Sequence, residues 1–94
     1  MDMKTARQLL GQEIAILRRR SYDSLRDELL ERPSVKEVVG PDGKNYQLET
    51  QAFWDDKRGG NLRVIVSVDD GGWRAFFPLT DDFIVSPSGQ VVGE

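Results

Sequence analysis

The sequence predicts an α+β fold: one or two N-terminal helices packed on one face of an antiparallel β-meander of four to six strands. Three observations carry that prediction. Apolar residues recur at helical spacing through the first third of the chain. After Pro33 the apolar period drops to two, the repeat of a strand. Short turns rich in Gly and Asp then separate the alternating runs. Ninety-four residues suffice for one domain, with a helical region over 1–32 and a sheet over 35–94.

The helical region is read from Met3, Ala6, Leu10, Ile14 and Leu17, with Leu9 and Ile16 widening the stripe. Tyr22, Leu25 and Leu29 form a second stripe. Ser21 either lies within one long helix or caps a second one, since its hydroxyl suits an N-cap. Pro33 ends the region and pushes Arg32 toward extended geometry.

The clearest strand is "NYQLETQAFWD". It sets Tyr46, Leu48, Thr50, Ala52 and Trp54 on one face and Asn45, Gln47, Glu49, Gln51 and Phe53 on the other. "LRVIVSV" directs Leu62, Val64, Val66 and Val68 inward, and Arg63, Ile65 and Ser67 outward. "WRAFF" directs Trp73, Ala75 and Phe77 inward, and Arg74 and Phe76 outward.

Turn chemistry proposes the register. "GPDGK" suits a three-residue loop with Gly43 left-handed, which pairs Val38 with Tyr46. "DKRGG" turns in the same way on Gly59, and "SPSGQ" folds "FIV" back on "QVV". "VDDGGW" reads as a two-residue type I′ hairpin with Asp70-Gly71 at its tip. That hairpin sets Val68 opposite Trp73, Val66 opposite Ala75 and Val64 opposite Phe77, with every inward face in agreement.

Composition narrows the chemistry. A net charge of −3 argues against a general nucleic-acid binder. No apolar run approaches the ~20 residues of a membrane span, and "MDMKTARQLL" lacks a signal-peptide core, so a cytoplasmic location is expected. The chain has no cysteine and no histidine. Disulfides, thiol nucleophiles and the commonest general base and metal ligand are therefore missing. No catalytic residue, cofactor or resident metal is assigned.

Three Asp pairs, Asp55-Asp56, Asp69-Asp70 and Asp81-Asp82, invite a metal reading. In a meander Asp55, Asp56, Asp81 and Asp82 gather at one end of the sheet, and Asp42, Asp69 and Asp70 at the other. No segment follows the EF-hand pattern, and Lys57 and Arg58 sit among the acids. Turn residues are the simpler account, with Asp81 and Asp82 in a connection where either can cap a helical turn. Arg18-Arg19-Arg20 similarly suits a helix end, where cations complement the dipole.

Two candidate surfaces remain. By parity Phe53, Ile65 and Phe76 point away from the helices, with Arg63 and Arg74 on the rim, the anatomy of a protein interface. Cover by the C-terminal "FIVSPSGQVV", or by part of the helical region, is the competing reading. Trp54, Trp73 and Tyr46 share the inward face and are candidates to line a small-ligand pocket between sheet and helices. The order of elements is similar in outline to cystatin-like and NTF2-like folds, though the chain is short for an NTF2-like domain. In general character the chain resembles many small bacterial proteins. The expected function is a non-catalytic protein-interaction module, binding a protein partner or itself as a homodimer. Small-ligand binding is the alternative.

Overall fold

Two helices form, and Ser21 decides between the readings by capping the second. The computed structural model describes residues 2–71 and 78–93. Helix α1 spans Met3–Arg18, and its N-cap Asp2 accepts from the Lys4 N–H and the Thr5 hydroxyl. Helix α2 spans Tyr22–Leu29, and the Ser21 hydroxyl accepts from the Ser24 N–H. Arg20 ties the two together, donating to the Ser24 hydroxyl and pairing with Glu28. Beyond α2, Glu31 takes a left-handed φ of 64°, which turns the chain back on itself ahead of Pro33.

The sheet has four antiparallel strands in chain order: β1 (Ser34–Val39), β2 (Asn45–Trp54), β3 (Leu62–Asp69) and β4 (Leu79–Val85). The β1–β2 loop forms as expected. Val38 faces Tyr46, Gly43 is left-handed, and Gly40 N–H donates to Lys44 C=O at 2.8 Å. Gly59 is left-handed in the β2–β3 turn. After β4, the turn around Gly89 brings Val91 opposite Val85, and Val92 N–H donates to Ile84 C=O at 2.7 Å. Residues 86–93 thus extend the sheet beside the end of β4 rather than crossing its outer face.

One expected register does not form. Val68, Val66 and Val64 face Leu79, Asp81 and Phe83, where the hairpin reading set Trp73, Ala75 and Phe77. A type I′ tip needs positive φ at both central residues, but Asp70 is not left-handed. Instead the Asp69 carboxylate accepts from the Gly71 N–H at 2.8 Å, an Asx turn. Asp81 and Asp82 accordingly lie inside β4, not in a connection. Trp73, Arg74, Ala75, Phe76 and Phe77 fall outside the described residues.

Both helices pack on one face, α1 over β3 and β4, α2 over β2 and β3. The core between them holds Ala6, Leu9, Leu10, Ile14, Leu17, Leu25 and Leu29 against Leu48, Ala52, Leu62, Val64, Val66, Val68, Phe83 and Val85. Ile16, read as part of the buried stripe, is exposed in the last full turn of α1. Glu13 is buried in its place along the helix and pairs with Lys36 of β1 at 2.9 Å. Tyr22 donates to the Gly60 C=O at 2.7 Å, which fastens α2 to the β2–β3 turn. Among the described residues no helix is long and apolar enough to cross a membrane.

Candidate functional site: the outer face of the sheet

Strand alternation builds this face. Because side chains one residue apart point to opposite sides, burying Leu62, Val64, Val66 and Val68 forces Arg63, Ile65 and Ser67 outward. The neighbouring strands follow the same register, so Phe53, Arg63 and Ile84 form one row across the sheet. Gln51, Ile65 and Asp82 form the next row, and Val35, Glu49, Ser67 and Thr80 the third. No helix lies on this side among the described residues.

The face is apolar in spots and polar between them. Phe53 is 48% exposed, Val35 56% and Val39 68%. Ile65 and Ile84 are half-buried. Phe53 and Ile65 sit on adjacent strands one row apart, as diagonal neighbours within reach of each other. Ile65 stands directly between Gln51 and Asp82, where Phe76 was expected opposite it.

Arg63 is ion-paired within this face. It sits between Phe53 and Ile84, and its guanidinium joins two carboxylates, Asp55 at 2.8 Å and Asp82. Those two partners, Asp55 first, raise its pKa above the ordinary arginine value. The triad carries one net negative charge and spreads it over the end of the face. Within β2, Gln51 also donates to Glu49.

The expected pocket residues separate. Tyr46 and Trp54 lie eight residues apart on β2, about 26 Å at ~3.3 Å per residue. Tyr46 is fully buried at the far end, donating to Asp42 at 2.6 Å. That bond, with burial second, pushes the Tyr46 phenol up to about 12. The same bond holds the Asp42 carboxyl below its ordinary value against the opposing effect of burial. Trp54 instead borders an open cleft of about 370 Å³ with Leu30, Glu31 and Arg58. Sequence reasoning did not find this cleft. It exists because Glu31 turns the chain beside the end of β2, and only the nearby Pro33 signals a break there.

The acids do not converge. Asp56 accepts from the Lys57 and Asn61 N–H groups, both at 2.8 Å, so it serves its turn. Those backbone donors, Lys57 first, lower its pKa. Asp55 and Asp82 are held by Arg63, while Asp81 points to the opposite side of β4 from Asp82. Among the described residues no group of three or more carboxylates could hold a metal ion. Comparison with protein-family models, with curated proteins and with solved structures finds no match to this chain.

Proposed function

We propose that this protein is a non-catalytic protein-interaction module, able to associate with a partner or with itself through the outer face of its sheet. One observation carries the reading. Both helices occupy the inner face, and the outer face keeps Phe53, Val35 and Val39 about half or more exposed. Apolar side chains spaced among charged and amide groups are what a modest, partly polar interface uses. Arg63, Asp55 and Asp82 contribute an ordered triad with one net negative charge.

The test pairs wild-type protein with Phe53→Glu, which buries a charge in any complex but leaves a solvent-facing side chain in the free protein. Light scattering over a range of concentrations reads self-association. Capture from host extract with both immobilised proteins reads other partners. The expected result is a dimer or a specific partner with wild type, lost with Phe53→Glu, at an unchanged melting temperature. Equal association by both proteins contradicts the reading.

Small-ligand binding is a second reading, favoured by the cleft beside Trp54. Its volume is within the range of ligand sites, and it offers an indole, an apolar wall, an acid and a base. Fluorescence of Trp54 in a Trp73→Phe background checks it: quenching or a spectral shift on metabolite screening supports binding there.

A further inference from the structure

The two edges of the sheet are unequal. The β4 edge is closed at one end by Val91 and Val92, and it carries Asp81 and Asp82 along its length. Cover of this kind is one way sheets keep an edge from pairing with other chains. The β1 edge has no strand beyond it among the described residues, and Val38 is its one half-buried residue, the others being exposed.

Hydrogen-bond parity shows what β1 offers. Gly40 is bonded to Lys44 across the loop, so residues two and four back, Val38 and Lys36, also direct their backbone groups at β2. Val39, Glu37 and Val35 therefore turn their N–H and C=O groups toward the open side. The same three residues point their side chains to the outer face, so a strand added here would run along the apolar patch already described. Lys36, on the inner side, is tied to Glu13 of α1, which holds β1 in place before anything binds.

The side chains also select the occupant. Two copies of β1 pairing about a two-fold axis keep outer face with outer face. The fully overlapping register then sets Glu37 against Glu37, and sliding by one step sets Lys36 against Lys36. Like charges directly opposite destabilise a strand pair. A foreign strand has no such constraint. Among the described residues no cation pairs with Glu37, and Val35 and Val39 flank it two residues away on each side.

We infer that the β1 edge accepts an extended peptide segment, antiparallel, with a Lys or Arg opposite Glu37 and apolar residues two positions to either side. Main-chain bonds to Val35, Glu37 and Val39 supply affinity, and the alternate side chains supply specificity. The inference rests on the interaction-module reading and names the partner's chemistry.

The test uses the full chain, amide NMR spectra and a synthetic peptide alternating Thr with Val, Lys and Val. The expected result is a shift and slowed exchange of the Val35, Glu37 and Val39 amides. Glu37→Lys should weaken binding about fivefold, since it replaces one cross-strand attraction with a repulsion of similar size, and a peptide with Glu in place of Lys should restore it. No response at these amides, or equal affinity for Glu37→Lys, overturns the inference. So does a dimer of the free protein with β1 amides protected, which gives the edge to a second copy. Failure here alongside loss of a captured partner in Phe53→Glu removes the edge and leaves the outer face standing. Peptide binding at β1 with capture indifferent to Phe53→Glu supports the edge and removes the face.

Discussion

The two sides of β3 face different surroundings. Leu62, Val64, Val66 and Val68 are 0% exposed beneath the helices, while Arg63, Ile65, Ser67 and Asp69 are all part-exposed on the other side. The first set removes apolar area from water and holds the fold together. The second set adds little burial, so its composition is free to answer to something besides folding. A small chain needs most of its apolar residues in the core. Leaving Phe53, Val35 and Val39 outside it is therefore informative.

That contrast can be broken from the inner side first. Leu25 is fully buried between α2 and the sheet. Leu25→Ala should cost about 2–5 kcal/mol through lost contacts and a residual cavity, read as a lower urea midpoint. A loss below about 1 kcal/mol would mean the helices sit loosely on the sheet. Tyr22→Phe is smaller. It removes the bond to Gly60 C=O and should cost about 1–2 kcal/mol with the fold retained.

The pH dependence sharpens the account at both ends of the sheet. The carboxyls of Asp2, Asp42 and Asp56 all lie below the ordinary 3.8, through hydrogen bonds from Thr5, from Tyr46 and from the Lys57 backbone respectively. A depressed carboxyl adds stability that is present above its unfolded pKa and lost as pH falls through the folded one. Acid loss should therefore begin only below about pH 4. Tyr46 is the reverse case: its phenol rises from 10.0 to about 12, so its contribution holds below 10.0 and fades as pH climbs to about 12. Unfolding midpoints across pH should show both limbs, and Tyr46→Phe should flatten the alkaline one.

Much of this was legible in the sequence, for reasons that can be named. The helices followed from spacing, the Ser21 cap was one of two stated options, and the loops around Gly43, Gly59 and Gly89 followed from turn chemistry. The β3–β4 register did not, because parity cannot choose between partners. Trp73, Ala75 and Phe77 alternate as well as Leu79, Phe83 and Val85 do, and two aspartates lower the apparent strand propensity of the true partner. Of the candidate interface, Phe53, Ile65 and Arg63 share the outer face, but the double ion pair of Arg63 depended on that unseen register. Arg74 and Phe76 lie outside the described residues. The exposure of Val35 and Val39 was also hidden, since sequence does not say which strand ends at an edge.

The central claim is that the outer face is not needed for folding. Its most direct test is the urea unfolding of one triple variant, Val35→Thr, Val39→Thr and Phe53→Gln, against wild type. Surface changes of this kind usually stay within about 0.5 kcal/mol each, so the account predicts a total loss of roughly 1.5 kcal/mol or less with one cooperative transition. A loss as large as that expected for Leu25→Ala, or a broadened transition, would contradict it and make this face a second core.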